Sequence, residues 1–425
     1  MKSCHICNDL RLLNDEMSGF RITVEDKYIS TVEEILNKEG FYIKPVSFYP
    51  KARFCASNNK KLGNSILNNF GQIYIQDLAS MLPPLILNPS KGSTVLDLCA
   101  SPGGKSAILS ELVGDNGIVV ANEPNKKRYL TLKKNIERLN LFNVCFTCYP
   151  GEKFPEYIKF PYILLDVPCS GWGTQDKNPK VKRLWYGKKI DPLIKLQREL
   201  LTKAFRLLKP GGKLVYSTCT TNRAENEDQI KWAVNELGFK IKAIDKIDDF
   251  EYFAEKSAGT LAIKGHKFYS QSFFVACLYK ESSNNESHGD KLKQDNNLKL
   301  LDKEKIENML KQAGLSLFRF PGGIFYLKEN KVFFKKQLFC KEIYSEGSFV
   351  GKLKKGLFIP NNRLWKLFES EAKNKLVFNE IDEIKGLISG KSVTISTNFK
   401  YLQLYYKDLP LTLLTVKGKR GLISR

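Results

Sequence analysis

Two cysteines in this sequence follow short apolar runs and have neighbours that suit nucleophilic chemistry. Cys169 lies in DVPCSGWGT (166–174) after the run YILL, and Cys219 lies in STCTTN (217–222) after KLVY. A thiolate is a strong nucleophile, and nearby helix N-termini or charged groups stabilise it. Two thiols at two strand ends, one beside the carboxylate of Asp166, predict a cysteine nucleophile. The alternative is that both are small, unreactive structural residues.

A glycine-rich turn follows an earlier strand-like run, STVLDL (93–98). It comprises Cys99, Ala100, Ser101, Pro102, Gly103, Gly104 and Lys105. Glycines let the backbone approach a ligand closely, and the N–H groups at a helix start favour an anionic or carboxylate end. Glu123 follows the next strand-like run, where a carboxylate can accept both hydroxyls of a ribose. Together they predict a nucleoside-containing cofactor, although Glu123 also suits a helix N-terminus.

The elements around these residues alternate between strands and helices from about residue 91. The predicted strands are STVLDL, GIVVANE, NVCFTCY, YILLDVP, KLVYSTC and SFFVACLY, and the helices are GGKSAILSELVG, NKKRYLTLKKNIERLN, PLIKLQRELLTKAFRLLKPGG with a glycine stop, and ENEDQIKWAVNELGF. This pattern predicts a parallel sheet covered on both faces, with ligands at the carboxyl ends of the strands. We expect the strands before Cys169 and Cys219 to be neighbours. Asn222 and Glu225 are predicted to form a helix cap and capping box without a chemical role.

The composition indicates a folded protein with a polyanionic partner. Of 425 residues, 68 are Lys or Arg and 45 are Asp or Glu, which gives a net charge of +23, and 42% are hydrophobic, too many for a disordered chain. The charge favours nucleic acid, then an anionic membrane surface, with a merely lysine-rich composition as the alternative. No run approaches the ~18 apolar residues of a membrane span. The first residues, MKSCHICNDLR, contain no apolar segment, so we expect no secretory signal.

The ten cysteines are expected to be reduced thiols rather than a disulfide framework or a metal site. Two CxxC pairs occur, Cys4/Cys7 and Cys145/Cys148. A zinc site would need both pairs to meet from distant parts of the chain, and the second pair lies in a strand-like run that points its thiols to opposite faces. Cys4, His5 and Cys7 together offer only three ligands, and a zinc site needs a fourth. The sequence therefore predicts no metal.

Several segments resemble the Sun/Fmu family of RNA cytosine-C5 methyltransferases, of the bacterial ribosomal RNA type. They are LDLCASPGGKS, LLDVPCSGWGT, LLKPGGKLVYSTCT, ENEDQI and the preceding GQIYIQDLASMLPPLIL, within about residues 65–280. The resemblance implies an α/β fold with a class I, Rossmann-like methyltransferase core at 91–280. A small α+β RNA-binding region at 1–90 precedes it. After a polar linker at 281–303, residues 304–425 resemble a PUA-like α+β RNA-binding domain.

The same resemblance implies a role for each site residue. S-adenosylmethionine would be the cofactor, with its methionine end on Cys99 to Lys105 and its ribose on Glu123. Asp166 would reach both the cofactor and the target base. Cys219 would be the nucleophile, and Cys169 would help to release the product. The sequence departs from the family at CYPGE (148–152), which lacks the usual adenine-binding Asp and offers Glu152 as a substitute, and at Ser272, which replaces a glycine.

These observations predict an S-adenosylmethionine-dependent RNA cytosine-C5 methyltransferase that acts on ribosomal RNA or a ribosomal subunit. We expect a cytoplasmic monomer without a membrane partner. Thiolate addition at C6 activates C5 of cytosine, and the base must leave any stack to be reached. Transfer RNA is the alternative substrate, and a non-catalytic RNA-binding assembly factor is the alternative function. Methylation of an exocyclic amine is disfavoured, because DVPCSG replaces the Asp/Asn-Pro-Pro-aromatic loop of such enzymes.

Overall fold

A computed structural model describes the greater part of the chain. The described residues are 16–57, 60–175, 181, 187–253, 259–265, 270–282, 299–313, 315–317, 322–336, 343–363, 368–369 and 374–423. The predicted features at Cys4, His5 and Cys7, and most of the predicted linker, lie outside them. None of the helices in these ranges combines the length and apolar character needed to cross a membrane.

The first described region is an antiparallel sheet with short helices. Its elements are β1 (Glu16–Ile22), α1 (Ile29–Lys38), β2 (Tyr42–Pro45), β3 (Ala52–Ser57), α2 (Ile66–Phe70), β4 (Ile73–Ile75) and α3 (Leu82–Leu87). The strand order is β2–β3–β1–β4. In this region the runs GFRITV (19–24) and KPVSFY (44–49) have the pattern of strands, and STVEEILNKEG (30–40) has that of a helix. Strand β1 and helix α1 cover most of the first and the last of these runs. Strand β2 ends at Pro45, because turns occupy most of residues 47–51.

The central region is the alternating α/β core that the sequence predicts. Its elements are β5 (Thr94–Asp97), α4 (Gly104–Val113), β6 (Ile118–Asn122), α5 (Lys126–Arg138), β7 (Val144–Thr147), β8 (Phe160–Asp166), α6 (Asp191–Leu207), β9 (Leu208–Thr218), α7 (Glu227–Leu237), β10 (Lys240–Lys242), β11 (Glu251–Tyr252), β12 (Thr260–Lys264) and β13 (Phe273–Tyr279). The order is β7–β6–β5–β8–β9–β13–β12–β11, with β10 on β13. The strands from β7 to β9 are parallel and β13 is antiparallel to β9. Apolar clusters cover both faces of this sheet.

The glycine stop predicted for the long helix is wrong. Helix α6 ends at Leu207, and Pro210, Gly211 and Gly212 lie inside β9. Gly211 donates a backbone hydrogen bond of 2.9 Å to the carbonyl of Lys280, and its φ of +73° is a conformation that residues with a Cβ rarely adopt. The glycines therefore shape an irregular strand start rather than a helix end.

The last region contains two further sheets. Its elements are β14 (Lys299–Leu301), α8 (Lys303–Gln312), β15 (Ser316–Leu317), β16 (Ile324–Lys328), β17 (Lys331–Lys335), β18 (Ser348–Lys354), β19 (Leu357–Pro360), β20 (Phe368–Glu369), β21 (Lys375–Phe378), α9 (Ile381–Ile388), β22 (Val393–Thr394), β23 (Tyr401–Tyr406), β24 (Leu409–Lys417) and β25 (Arg420–Leu422). The orders are β14–β16–β17–β18–β19 and β21–β23–β24–β25–β22, and β15 pairs with β20. Strand β14 falls inside the segment predicted as linker. The PUA-like assignment stays a prediction.

The two ends of the chain pack against each other. Phe20 and Ile35 of the first region share one apolar cluster with Leu404 and Leu414 of the last. Polar contacts join the same regions: Lys407 forms an ion pair with Glu34 at 2.8 Å, and the Gln72 amide donates to the Pro410 carbonyl at 2.7 Å.

The last region also covers the edge of the core sheet at β7. Phe146 and Glu346 exchange two backbone hydrogen bonds, each 2.8 Å long. Lys133 of α5 pairs with the Glu346 carboxylate at 3.0 Å, and the Tyr344 N–H donates to the Tyr149 hydroxyl at 2.8 Å. The loop that follows β7 is thus held partly by residues almost two hundred positions away in sequence.

Candidate active site

Cys169 and Cys219 lie side by side at the carboxyl edge of the core sheet. Strands β8 and β9 are adjacent and parallel, with Asp166 opposite Ser217, which confirms the prediction that they are neighbours. Each cysteine follows the end of its strand, and the two Sγ atoms are 3.4 Å apart. That distance is short enough for one thiol to donate a hydrogen bond to the sulfur of the other.

The surroundings shift the pKa values of the two thiols in opposite directions. The pKa of Cys219 is lowered, first because Cys169 donates a hydrogen bond to it, and further by the charge of Lys105, against the effect of burial. The pKa of Cys169 is raised well above its usual value by the same hydrogen bond and by burial. The two shifts therefore favour Cys219 over Cys169 as the thiol that ionises.

Asp166 lies at the end of β8 with both carboxylate oxygens engaged. Oδ2 accepts a hydrogen bond of 2.7 Å from the Lys105 ammonium, and Oδ1 accepts one of 2.6 Å from the Ser217 hydroxyl. Burial lowers the pKa of Lys105, but the charge of Asp166 and its hydrogen bond outweigh that effect and raise the pKa overall. Lys105, predicted at the cofactor's methionine end, thus carries a fixed positive charge beside Asp166.

Glu225 is a site residue that the sequence analysis missed. Its fully buried carboxylate accepts hydrogen bonds from the Ser170 N–H at 2.8 Å, the Ser170 hydroxyl at 2.5 Å and the Gln197 amide at 3.0 Å. Asn222 does cap the following turn, as predicted, but its N–H donates to Thr220 and not to Glu225. The capping-box prediction for Glu225 is therefore wrong: the carboxylate holds the loop of Cys169 against the segment that follows Cys219.

Gly173 links the two cysteine loops through its backbone. Its N–H donates to the Cys219 carbonyl at 3.0 Å, and its own carbonyl accepts from the Ser272 N–H at 3.2 Å. A Cβ at Gly173 would lie 2.4 Å from the Ser272 oxygen and 2.7 Å from the Cys219 oxygen, so no larger residue fits. Ser272, which departs from the family pattern, is accommodated because its hydroxyl accepts from the Gly265 N–H at 2.9 Å.

The glycine turn closes tightly around the start of α4. Gly103 has a φ of +108°, and a Cβ at Gly104 would lie 2.8 Å from the ring of Tyr74. Behind the turn, Asp97 is buried, and burial raises its pKa to about 7. Its Oδ2 accepts from Ser106 at 2.6 Å, while Oδ1 has no hydrogen-bond partner among the described residues. A buried, unsatisfied carboxylate oxygen beside a glycine turn fits an ammonium group such as the one on a methionine moiety.

The other predicted cofactor residues form the first half of this turn, and their contacts hold it in place. Ala100 donates its N–H to the Asn122 carbonyl, the Ser101 hydroxyl donates to the Arg128 carbonyl, the Pro102 carbonyl accepts from Asn135, and Cys99 is partly buried against the apolar cluster. Burial raises the pKa of Cys99 well above its usual value, so that thiol stays protonated.

Glu123 lies where the sequence places it, directly after β6. The carboxylate is buried, and it accepts from the Asn125 N–H at 3.0 Å and lies 3.4 Å from the Arg128 guanidinium. It therefore interacts with the start of α5, as its alternative interpretation states, and its contact with a ribose stays a prediction. Glu152, the candidate substitute for the adenine-binding Asp, is partly exposed in a short turn after β7.

This geometry can be compared with known proteins. Residues 84–279 match the family described as 16S rRNA methyltransferase RsmB/F. The matched segment is thus similar to that family over 196 of the 425 residues. The match agrees with the Sun/Fmu resemblance of the motifs, and the matched segment contains every predicted catalytic and cofactor residue.

Two curated relatives illustrate the similarity to the RsmB/F family. The Ribosomal RNA small subunit methyltransferase F of Shewanella loihica is 34% identical over 272 residues, covering 61% of this chain and 56% of that protein. Its counterpart in Pectobacterium atrosepticum is 37% identical over 257 residues, covering 57% and 52%. The chain therefore spans little more than half the length of the curated relatives it matches.

Solved structures confirm the class I α/β fold of the core. The structure of PH0851 is 32% identical, with a TM-score of 0.58 over 62% of this chain and 60% of that one. A methyltransferase homologue from Pyrococcus horikoshii is 28% identical, with a TM-score of 0.54 over 64% and 88%. The core thus has the fold that the strand and helix pattern predicts.

Proposed function

We propose that this protein is an S-adenosylmethionine-dependent methyltransferase that modifies C5 of a cytosine in ribosomal RNA through a covalent bond to Cys219. The observation that carries the proposal is the pair of thiols, with the two Sγ atoms 3.4 Å apart and the pKa of Cys219 lowered by its hydrogen bond with Cys169. The match of residues 84–279 to the RsmB/F family supports the methyltransferase activity and the RNA class.

The cofactor would lie along the carboxyl edge of β5 and β6. The glycine turn from Cys99 to Lys105 would hold its methionine end, with the free oxygen of Asp97 on the ammonium group and Glu123 at the ribose. When bound, S-adenosylmethionine supplies an electrophilic methyl group.

The side chains of the site supply the remaining steps. The Cys219 thiolate adds to C6 of the cytosine, which breaks the aromaticity and makes C5 nucleophilic. Asp166 accepts a hydrogen bond from the base, and the Lys105 ammonium behind it stabilises the negative charge that addition places on the ring. Once Cys219 is bonded to C6, Cys169 releases its own proton to water, and after methylation the resulting Cys169 thiolate takes the C5 proton directly or through water. The bond between Cys219 and C6 then breaks, and its electron pair returns to sulfur.

The proposed substrate is ribosomal RNA, free or in a ribosomal subunit, encountered in the cytoplasm by a monomer. The net charge of +23 supports sequence-independent affinity for the RNA backbone. The target base would have to leave its stack to reach Cys219.

The test uses purified protein, bulk RNA that lacks 5-methylcytidine, isolated ribosomal subunits and isotope-labelled S-adenosylmethionine. After incubation, the RNA is separated by size and its nucleosides are analysed. We expect label in 5-methylcytidine of the small-subunit ribosomal RNA. Label in the transfer RNA fraction would reassign the substrate. Measurable cofactor binding without label in any fraction would refute the enzymatic proposal and favour a non-catalytic RNA-binding factor.

A further inference from the structure

The last region contains a pocket at some distance in sequence from every residue of the candidate active site. It has a volume of about 250 Å³ and lies between the end of α8, the β18–β19 hairpin and the start of β23. The lining residues are Gln312, Ala313, Lys354, Lys355, Leu357, Phe358, Ile359, Lys400 and Tyr401. The volume lies just below the ~300–1,000 Å³ of pockets that hold whole drug-sized ligands, so it suits one small planar group.

The floor of this pocket is apolar and partly open to solvent. Phe358 and Tyr401 are buried members of the local apolar cluster, and Ile359 is partly exposed beside them. Leu357 leaves 50% of its surface exposed and so adds accessible apolar area beside the pocket. The floor therefore offers contact to a flat apolar group that is not present in the protein itself.

The rim of the pocket carries uncompensated positive charge. Lys354, Lys355 and Lys400 are all exposed, and none of them has an ion-pair partner among the described residues. The lining includes no carboxylate, whereas other exposed lysines are paired, as Lys407 is with Glu34. Three ammonium groups around an apolar floor suit a ligand that is both flat and anionic.

We propose that this pocket binds one unpaired nucleotide of a single-stranded RNA segment. The base would lie on the floor of Leu357 and Ile359, and adjacent phosphates would contact the three lysines. The Gln312 amide, at the end of α8, both donates and accepts hydrogen bonds and so suits the edge of a base. A duplex is not expected to bind here, because its bases are paired and stacked and would have to leave the stack to enter the pocket. The choice of RNA as the anion rests on the proposed function.

The pocket is held in a fixed relation to the methyltransferase core. Tyr401 of its floor belongs to an apolar cluster against which Phe142, between α5 and β7, is packed. Binding here would therefore hold an unpaired segment of the substrate at a set distance from Cys219. This arrangement would favour RNA in which an unpaired nucleotide lies at the matching distance from the target cytosine.

The test measures RNA binding by the full chain without cofactor, so its outcome is independent of methyl transfer. The probes are a short fluorescein-labelled single-stranded RNA and the same sequence in a duplex, titrated by anisotropy at several salt concentrations. For the variant Lys354→Gln/Lys355→Gln/Lys400→Gln, we expect at least tenfold weaker binding of the single strand. The slope of log affinity against log salt should fall by about 2, since each single-strand phosphate contact contributes roughly 0.7.

A matched control removes three exposed lysines of the same region that do not line the pocket. Lys391→Gln/Lys417→Gln/Lys419→Gln makes the same change of charge at exposed lysines that have no ion-pair partner among the described residues, and it should leave the affinity within about twofold. Leu357→Ser changes no charge: it should weaken single-strand binding about fivefold, the low end of a stacking contribution, without changing the salt slope or duplex binding.

A site-specific readout completes the test. Single-stranded RNA that contains 4-thiouridine should cross-link to Leu357 or Ile359, and the triple pocket variant should lose that product. Thermal unfolding checks that each variant is folded. Equal weakening by the pocket and control variants, or cross-links confined to residues 84–279, would overturn the proposal. So would a pocket variant that keeps its RNA affinity but loses binding to phosphatidylserine vesicles, because that result would identify a membrane site.

Discussion

Glu225 allows a sharp test of how the two cysteine loops are held together. In Glu225→Ala, the Ser170 N–H, the Ser170 hydroxyl and the Gln197 amide all lose the carboxylate that accepts from them. Buried hydrogen bonds to a charged group contribute about 1.5–3 kcal/mol each, and part of that sum is offset because the variant no longer buries a carboxylate, which leaves a net cost of about 3–5 kcal/mol. We expect a loss of unfolding free energy in that range and at least a hundredfold lower kcat for methyl transfer.

The isosteric variant Glu225→Gln separates hydrogen bonding from charge. Its amide oxygen still accepts from Ser170 N–H, and its NH2 group can donate to the Ser170 hydroxyl, which already contacts Thr220 at 2.8 Å. The stability loss should therefore stay at about 1–2 kcal/mol. The negative charge is gone, however, and that charge contributes to the raised pKa of Cys169, after its hydrogen bond to Cys219 and its burial. We expect a pH–rate profile that differs from that of the natural protein.

Equilibrium urea unfolding and single-turnover methylation measure the two quantities in parallel. Glutamine should recover most of the stability that alanine loses but not the natural pH profile. An alanine variant with the stability and kcat of the natural protein would refute the positioning role of this carboxylate.

Four further predictions concern the site itself. Cys219→Ala should abolish methylation with cofactor affinity unchanged by calorimetry, and retained turnover would contradict the nucleophile assignment. Cys169→Ala should accumulate a covalent protein–RNA adduct on a denaturing gel, whereas free turnover without an adduct would exclude its role in release. A bound ammonium group favours the ionised form of Asp97, and the pKa of that carboxyl is about 7. The affinity for S-adenosylmethionine should therefore weaken about tenfold for each pH unit below 7, and this pH dependence should vanish in Asp97→Asn. The raised pKa of Asp97 also means that its contribution to stability is full below about pH 4 and is lost as the pH rises through 7, which a pH series of urea unfolding would detect.

The order of elements in the core could be predicted because its signals are local. Short apolar runs followed by helical periodicity identify β5 to β9. Because parallel strands have their carboxyl ends at the same edge of the sheet, Cys169 and Cys219 are expected at one edge. The same local patterns misplaced the end of α6, because Pro-Gly-Gly also suits an irregular strand. A glycine identifies a backbone conformation rather than the element in which it occurs.

Contacts between distant segments could not be predicted in this way. Glu225 has the spacing of a capping box, which predicts that its carboxylate accepts from the Asn222 N–H. Only the fold shows that the carboxylate accepts from Ser170 instead. Phe20 and Leu414 belong to one apolar cluster although they lie near opposite ends of the chain. The sequence around each residue does not indicate which distant segment packs against it. Hydrophobic patterning specifies which face is buried and leaves open what buries it.

The backbone pairing of Phe146 with Glu346 has a consequence for the solubility of the core. Strand β7 is the outer strand of the core sheet on that side, and an outer strand with free N–H and C=O groups readily recruits other chains into aggregates. Residues 343–347, with the Lys133–Glu346 ion pair beside them, occupy part of that edge. A fragment ending near residue 280 would leave this edge open to self-association, so the C-terminal region protects the methyltransferase core as well as extending its surface.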